Sequence, residues 1–341
     1  MIITMKANAT AEQIRGVIQE IERFDCRADV NHGDQRVVIG LAGDWRGKTT
    51  PEHFIGFPGV DNAIPILKPY KEASRAFHPS DTLIEIDDVV IGPGHFQIIA
   101  GPCAVESEEQ VMKAALFLKS LGLRIMRAGA FKPRSSPHSF QGLGQEGLRI
   151  LETAKKETGL KIVTEALHVR WIEQVAACAD IIQIGARNMQ NYDLLREVAL
   201  AGRPVLLKRG FQCTLSETLM SADYILDSGC KEVILCERGI RGFDNEFTRN
   251  VLDLAAVPVL RAESHLPVVV DPSHGTGKRD LVKPLSMAAV AVGANGLLLE
   301  VHPCPSEALC DGPQQLPLEE FGALKRDLDP LIQLALSRSS A

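Results

Sequence analysis

The spacing of apolar residues changes near residue 82, and this change divides the chain into two parts. In the first part, apolar side chains between residues 14 and 21 recur at helical spacing after Thr10, whose side chain suits an N-cap. Short strand-like runs surround this helix at residues 1–7, 26–31, 36–43 and 63–67. The pattern predicts a small α+β domain over residues 1–66 and a polar linker with two prolines over 67–81.

Residues 82–341 alternate eight short, β-rich apolar runs with segments of helical spacing. The runs are residues 96–104, 124–131, 161–166, 181–186, 204–210, 233–239, 268–274 and 296–302. The predicted helices are residues 110–120, 145–158, 168–178, 191–200, 214–227, 250–254 and 285–292. Eight strands with helical crossovers favour an α/β fold, a (β/α)₈ TIM barrel, whereas a doubly wound open sheet does not call for eight. Residues 82–94 alternate with period two and predict a hairpin that plugs the amino-terminal mouth of the barrel.

Unusual polar residues follow the ends of these apolar runs rather than their starts. They are Cys103, Arg127, Lys132, Glu165, Arg187, Lys208, Arg238, Asp271, His274 and Glu300. Any one polar residue at such a position can be explained by its strand leaving the apolar core. The recurrence of polar residues at the end of strand after strand is explained poorly in that way. Because the carboxyl ends of barrel strands form one face, we expect these side chains to converge on one site.

Composition narrows the classes of function. The net charge of −6 argues against non-specific nucleic-acid binding, and no segment has the length or purity of a membrane span. The first residues lack the pattern of a secretory signal, so we expect a cytoplasmic protein. The eight cysteines form no Cys-x-x-Cys pair, which argues against a disulfide framework or a structural zinc site.

In an acidic chain, several cations at one barrel mouth call for an anion with more than one phosphate or carboxylate group. The candidates are Arg127, Lys132, Arg134, Arg187, Lys208 and Arg238. Arg209, Lys278 and Arg279 are interpreted instead as solvated loop charges.

Sulfur, nitrogen and oxygen donors at the strand ends favour a divalent transition metal over magnesium or calcium. The best set is Cys103, His274, Glu300 and Asp311. A local site that uses His302, Cys304 and Cys310 is the weaker alternative, because its spacing matches no familiar zinc motif.

Six stretches together resemble the type I 3-deoxy-D-arabino-heptulosonate 7-phosphate (DAHP) synthases, in the β subgroup that carries an amino-terminal ferredoxin-like domain. They are AGPCAVES at 100–107, MRAGAFKPRSSPHSFQG at 126–142, IGARNMQN at 184–191, LLKRG at 206–210, DPSHGTG at 271–277 and EVHPCPSEALCDG at 300–312. Six motifs in the family's order are far more specific than any one of them. The resemblance implies condensation of phosphoenolpyruvate with erythrose 4-phosphate at the entry to aromatic amino-acid biosynthesis.

The resemblance also implies a role for each candidate. The metal, expected to be Mn, Fe, Co or Zn, would be held by Cys103, His274, Glu300 and Asp311. Phosphoenolpyruvate would be held by Arg127, Lys132, Arg187, Lys208 and Arg238. The aldose phosphate would be held by Arg134, Ser135 and Ser136, where the family often has threonine at the middle position.

Four residues are given roles from the chemistry of the reaction. Lys132 is the candidate acid, and Glu165 is the candidate that positions water or supports Lys132. His302 lies on the same face of its strand as Glu300 and supports the site, while Asp271 orients a ligand or the aldose. Phe211 and Cys310 depart from the family pattern; Cys310 stands where serine is common.

Two other functions stay open. A 3-deoxy-manno-octulosonate 8-phosphate synthase performs the same chemistry on arabinose 5-phosphate, although residues 132–137 and 271–274 favour the heptulosonate enzyme. A non-catalytic barrel that binds phosphorylated metabolites is the alternative from another class. For residues 1–66 the resemblance implies feedback control by an aromatic amino acid, in a homodimer or homotetramer.

Overall fold

The structure, a computed structural model, describes residues 1–33, 36–43, 45, 47–65, 68–134, 136–244 and 246–339. Contacts divide the described residues into two compact units. The first comprises residues up to 81 together with 262–265, and the second comprises residues 82–261 and 266 onward. The segment from 68 to 81, predicted as a linker, therefore clusters with the first unit.

The amino-terminal unit contains a four-stranded antiparallel sheet with two helices. Its elements are β1 Ile2–Met5, α1 Ala11–Arg23, β2 Arg27–His32, β3 Val37–Ala42, α2 Pro51–Ile55 and β4 Val60–Ile64. The strands lie in the order β2-β3-β1-β4. Helix α1 begins with a capping box, in which the Thr10 side chain accepts from the Gln13 backbone and the Gln13 side chain accepts from the Thr10 backbone. Val17 and Ile21 of this helix are buried in the apolar core of the unit, so the predicted α+β domain is confirmed.

The second unit begins with the hairpin of β5 Ile84–Ile86 and β6 Val89–Ile91. Eight parallel strands follow. They are β7 Gln97–Gly101, β8 Ile125–Arg127, β9 Lys161–Glu165, β10 Ile181–Ile184, β11 Val205–Lys208, β12 Val233–Glu237, β13 Val268–Val270 and β14 Gly296–His302. Each strand pairs with the next, and β14 pairs with both β13 and β7, so the sheet closes into the predicted barrel.

Helices connect these strands, and a short strand, β15 Leu316–Pro317, extends the sheet beside β14. The helices are α3 Glu108–Ser120, α4 Gln145–Thr158, α5 Ile172–Cys178, α6 Tyr192–Ala199, α7 Leu215–Asp227, α8 Ala256–Glu263, α9 Pro272–Thr276, α10 Arg279–Ala291 and α11 Leu318–Ser339. None of the helices in the described part of the chain combines the length and the apolar character that a membrane span requires.

The hairpin fills one end of the barrel. Its four apolar side chains pack in one buried cluster with inward-facing side chains of all eight strands. The strand residues of this cluster are Ile99, Ile125, Val163, Ile181, Leu206, Ile234, Cys236, Val269 and Leu298. Apart from Cys236, they lie in the first half or at the middle of their strands, which agrees with the predicted plug.

Four expectations were wrong. Residues 250–254 do not form a helix, because Val251 pairs with Ile240 in an isolated bridge, and α8 begins only at Ala256. Helix α10 begins at Arg279 rather than at 285, because Pro284 is accommodated inside it. Arg279 is therefore not the solvated loop charge that was predicted, and its Nε donates to the Gln315 carbonyl oxygen over 2.9 Å. Arg209 is not solvated: it is buried, and its Nη1 lies 2.8 Å from Glu237 Oε2 and 3.0 Å from Asp253 Oδ2.

Candidate active site

A cavity of about 370 Å³ opens at the carboxyl ends of the barrel strands. Seven cationic side chains line it: Arg127, Lys132, Arg134, Arg187, Lys208, Arg238 and Arg249. Glu165 and Asp311 are the only carboxylates among its described lining residues. Because like charges repel unless an anion lies between them, this cavity is suited to a substrate with several negative groups.

Strand geometry explains which side chains lie at the mouth of the barrel. Alternate residues of a strand face the same side, so the residue two positions after each apolar plug residue also faces the barrel interior. Ile125 is followed in this way by Arg127, Leu206 by Lys208, and the same step leads to the other inward-facing residues of the mouth. These are Glu165, Gln183, Arg238, Asp271 and Glu300.

The predicted metal ligands lie together. One donor atom from each of Cys103, His274, Glu300 and Asp311 lies within 4.8 Å of the donors of the other three. Cys103 Sγ is 3.4 Å from Asp311 Oδ2, and His274 Nε2 is 3.4 Å from Glu300 Oε1. One sulfur, one imidazole nitrogen and two carboxylates form a donor set that fits a divalent transition metal.

Backbone geometry brings two of these ligands into place. Gly101 has a φ of +152°, and a Cβ there would lie 2.1 Å from the Arg127 carbonyl oxygen, so only glycine lets the chain turn toward Cys103 at this point. Asp311 itself has a left-handed φ of 53°, a conformation that non-glycine residues adopt rarely and often at functional sites.

His274 is oriented by Asp271. Its Nδ1 lies 2.7 Å from Asp271 Oδ2, so a proton on Nδ1 leaves the lone pair of Nε2 facing the donor cluster. Asp271 is fully buried; burial opposes its ionisation, but His274 and Lys208 lower the pKa of its carboxyl well below the usual value. Lys208 Nζ is 2.7 Å from the same oxygen. Asp271 thus lies behind the cavity wall and orders one metal-ligand candidate and one cavity cation.

Glu300 is held ionised by its neighbours. Arg127 Nη1 donates to its Oε1 over 2.9 Å, and Gln314 Nε2 donates to its Oε2. Burial opposes the charge, but His274, Arg127 and Lys132 outweigh burial and lower the pKa of Glu300 to about 2. The carboxylate is therefore available as a ligand throughout the neutral range.

Cys103 lies beside a second cysteine and a lysine. Its Sγ is 3.0 Å from Cys310 Sγ and 3.1 Å from Lys132 Nζ. The hydrogen bond with Cys310, burial and the Glu300 carboxylate raise the pKa of the Cys103 thiol, so metal binding at this sulfur displaces a proton. Gln315 accepts from the Cys103 backbone and donates to the Cys310 carbonyl, at 3.0 and 2.9 Å.

Lys132 is buried at the mouth, where Nζ also donates to the Cys103 carbonyl oxygen over 3.1 Å. Burial alone would lower its pKa, but the sulfur atoms of Cys103 and Cys310 raise it, so the side chain carries a proton at neutral pH. The raised pKa makes this ammonium group a weak acid, so it can donate a proton only to a strongly basic oxygen, such as an alkoxide beside the donor cluster.

Glu165 lines the cavity, and its carboxylate occupies space that the missing side chain of Gly185 leaves free. A Cβ on Gly185 would lie 2.0 Å from Glu165 Oε1, so no larger residue fits there without moving the carboxylate. Gln183 Nε2 donates to Oε2 over 3.1 Å. The other oxygen, Oε1, is buried and has no hydrogen-bond partner among the described residues.

The remaining candidates occupy different positions. Arg134 and Ser136 line the cavity, and Ser135 lies outside the described residues. His302 is buried beside Glu106, with 3.4 Å between its Nε2 and Glu106 Oε2, and it is not among the described residues that line the cavity. Its Nδ1 accepts from the Cys304 backbone over 3.0 Å. The local metal site proposed around His302 and Cys304 is therefore not assembled in the described structure, whereas Cys310 lies next to Cys103.

Several residues of the site had no sequence signal in isolation. They are Glu106, Gln183, Arg249, Gln314 and Gln315. Glu106 accepts from the backbone of Leu309, and Arg249 Nη1 lies 3.5 Å from Asp311 Oδ1. The position of Gln183, two residues after an apolar residue of β10, was the one available indication.

Two family models match the chain. The model described as the DAHP synthetase I family matches residues 73–334, and the model described as the DAHP synthase ferredoxin-like domain matches residues 1–68. A phospho-2-dehydro-3-deoxyheptonate aldolase of Thermotoga maritima is 51% identical, and the match covers 97% of each chain. A 2-dehydro-3-deoxyphosphooctonate aldolase of Cupriavidus necator is 36% identical over 70% of this chain and 91% of that protein.

Solved structures agree with these matches. The crystal structure of the phospho-2-dehydro-3-deoxyheptonate aldolase (DAHP synthase) of Thermotoga maritima has a TM-score of 0.78 at 50% identity, and the match covers 98% of both chains. A truncated form of 3-deoxy-D-arabino-heptulosonate 7-phosphate synthase from the same organism has a TM-score of 0.73 at 51% identity. It matches 77% of this chain and 97% of that one.

Proposed function

The chain belongs to the DAHP synthetase I family, and we propose that it uses the cationic mouth of its barrel to condense phosphoenolpyruvate with erythrose 4-phosphate. The products are 3-deoxy-D-arabino-heptulosonate 7-phosphate and inorganic phosphate, and the reaction is the first step of the shikimate pathway. The observation that carries the proposal is the grouping of four metal-ligand candidates beside Lys132, within one cavity lined by cations.

The cavity cations hold the two anionic substrates. Arg127, Lys132, Arg187, Lys208 and Arg238 bind the phosphate and carboxylate of phosphoenolpyruvate. Arg134 and Ser136, with Ser135, bind the phosphate of the aldose. Guanidinium groups suit these contacts because they donate two parallel hydrogen bonds to a phosphate or carboxylate. Holding both substrates in reacting geometry supplies a large part of the rate enhancement.

Cys103, His274, Glu300 and Asp311 hold a divalent metal, which when bound supplies Lewis acidity toward the aldehyde of the aldose. Phosphoenolpyruvate is a weak carbon nucleophile, so the reaction needs an activated aldehyde. Asp271 keeps His274 in the tautomer that a ligand requires, and Gln314 and Arg127 fix the orientation of Glu300.

Lys132 and Glu165 handle the protons and the water. As carbon 3 of phosphoenolpyruvate bonds to the aldehyde carbon, negative charge develops on the aldehyde oxygen, and Lys132 donates a proton to it. Carbon 2 becomes electron-poor, and water adds there from the side of Glu165, whose carboxylate lines the cavity and orients the water. The bond between carbon 2 and the phosphate oxygen then breaks to give the ketone; of the two protons that the added water loses, one returns to Lys132 and the other leaves with the phosphate, whose charge the cavity cations stabilise.

The octulosonate reaction is the second candidate. It is supported by the 2-dehydro-3-deoxyphosphooctonate aldolase of Cupriavidus necator, which is 36% identical over 70% of this chain. Phosphate release from phosphoenolpyruvate should be measured with erythrose 4-phosphate and with arabinose 5-phosphate. We expect the larger kcat/KM with erythrose 4-phosphate; preference for arabinose 5-phosphate would assign the chain to the other reaction, and no release with either aldose would support a non-catalytic barrel.

The amino-terminal unit is proposed to be regulatory, in a cytoplasmic homodimer or homotetramer that an aromatic amino acid inhibits. Its support is the match of residues 1–68 to the ferredoxin-like domain model of these synthases. Removal of residues 1–66 should abolish inhibition by tyrosine or phenylalanine and preserve turnover. Inhibition that survives the deletion would move the effector site into the barrel.

A further inference from the structure

Phe211 stands at a junction of three arginines on the cavity wall. It follows β11 by three positions and lines the cavity. The centroid of its ring lies 4.6 Å from the guanidinium carbon of Arg238, 5.2 Å from that of Arg187 and 5.9 Å from that of Arg241. The three arginines come from the loops after β10 and β12, so one side chain contacts cations from both neighbouring loops.

These cations have few other partners. Within the described residues, neither Arg187 nor Arg238 forms an ion pair with a carboxylate. Arg238 donates to the carbonyl oxygens of Gly239 and His274, each over 3.3 Å. The face of an aromatic ring carries negative potential, so the Phe211 ring attracts both guanidinium groups and offsets their mutual repulsion.

The backbone holds the ring at this position. The Arg241 N–H donates to the Phe211 carbonyl over 2.6 Å, and the Gly210 N–H donates to Met189 Sδ over 3.1 Å. A Cβ on Gly210 would lie 2.4 Å from Cys213 Sγ, so the turn before Phe211 is closely packed. The backbone therefore fixes the ring beside the three arginine side chains.

We propose that Phe211 is a positioning residue that orders Arg187 and Arg238 to receive the anionic groups of phosphoenolpyruvate. The inference rests on the proposed function for the identity of the ligand. An ordered pair of guanidinium groups loses less side-chain entropy on binding, so Phe211 acts on the affinity for phosphoenolpyruvate rather than on the chemical step.

The test compares Phe211→Leu, which keeps apolar volume without an aromatic face, with Phe211→Tyr, which keeps the face. Tyr224→Leu is the matched control, because Tyr224 contacts the guanidinium of Arg196 at 5.0 Å on the helices outside the barrel. Calorimetry measures binding of phosphoenolpyruvate alone to the full chain with Mn²⁺, and steady-state assays give kcat and both KM values. Thermal unfolding verifies that each variant is folded.

We expect Phe211→Leu to weaken phosphoenolpyruvate binding by about 5- to 30-fold, the size of one or two cation–π contacts. The kcat of Phe211→Leu and its KM for erythrose 4-phosphate should stay close to the wild-type values. Phe211→Tyr and Tyr224→Leu should behave like wild type in every measurement. Wild-type affinity in Phe211→Leu, or a loss in Phe211→Tyr as large as in Phe211→Leu, would overturn the proposal. Wild-type protein that binds phosphoenolpyruvate but releases no phosphate when erythrose 4-phosphate or arabinose 5-phosphate is added would contradict the proposed function, while the affinity comparison would still decide the role of Phe211.

Discussion

The two ends of the same eight strands have opposite chemistry. At the amino ends, inward-facing side chains form a dry apolar layer that the hairpin β5–β6 closes. At the carboxyl ends, inward-facing side chains are almost all ionisable and surround an open cavity. On several strands a step of only two residues separates the layers, as from Leu298 to Glu300.

This contrast shows how one barrel separates stability from reactivity. Burial of the plug layer stabilises the fold, because apolar side chains there leave water without any polar group to compensate. Charges at the mouth are costly to bury and are kept ionised by one another, as Glu300 is by His274, Arg127 and Lys132. Changes at the plug should therefore alter folding free energy, whereas changes at the mouth should alter catalysis or metal binding.

The largest effect is expected at the mouth, from Lys132→Met. Loss of the proton donor should lower kcat by about 10²- to 10⁴-fold with a small change in the midpoint of thermal unfolding. Lys278→Met, which removes an exposed lysine, is the matched control and should retain wild-type kcat. A kcat for Lys132→Met within tenfold of wild type, from steady-state phosphate release, would remove Lys132 from the acid role.

At the plug, Ile84→Ala should have the opposite signature. Ile84 is fully buried in the barrel cluster, so truncation should lower the free energy of unfolding by about 2–5 kcal/mol. Urea denaturation measures this loss, and both KM values should remain unchanged at a temperature where the variant is folded. Leu83→Ala, at a neighbour that is 44% exposed, should cost much less. A hairpin variant that keeps its stability but loses substrate affinity would contradict the separation of folding stability at one end from substrate binding at the other.

At the mouth, the pH dependence of stability in Glu300→Gln tests whether the neighbouring cations keep Glu300 ionised. The pKa of Glu300 is about 2 in the folded protein, below its ordinary value of 4.5. The ionised carboxylate therefore stabilises the fold above pH 4.5, and this contribution is lost as pH falls from 4.5 to 2. In metal-free protein, the difference in unfolding free energy between wild type and Glu300→Gln should shrink over that window by up to about 3 kcal/mol.

Urea titrations at several pH values measure this difference, and Glu109→Gln controls for loss of an exposed carboxyl group. A difference that stays constant from pH 6 to pH 2.5 would mean that the surrounding cations do not hold Glu300 ionised.

The smallest effect is expected from Cys310→Ser. Cys310 contacts Cys103 but is not one of the four clustered donors, so its loss should leave metal affinity within about threefold of wild type, less than the 10- to 100-fold typical of residues that support ligands. Competition with a chelator measures this affinity. A loss above tenfold would make Cys310 part of the metal site.

Regular patterns explain what the sequence could predict. Period-two alternation located the hairpin, short β-rich apolar runs located the strands, and the polar residues at the carboxyl ends of those runs indicated the mouth. The bridge between Ile240 and Val251, the burial of Arg209 and the hydrogen bonds of Gln314 and Gln315 had no such signal. Each depends on a partner far along the chain or on loop geometry, which local propensity does not encode.

We propose that the mouth is a metal-dependent site for phosphoenolpyruvate and erythrose 4-phosphate. Phosphate release from these two substrates should be measured before chelation, after chelation with EDTA, and after addition of single divalent metals. We expect loss of activity on chelation, recovery with at least one of Mn²⁺, Fe²⁺, Co²⁺ or Zn²⁺, and no recovery in Cys103→Ala. A rate that chelation leaves unchanged would contradict this proposal.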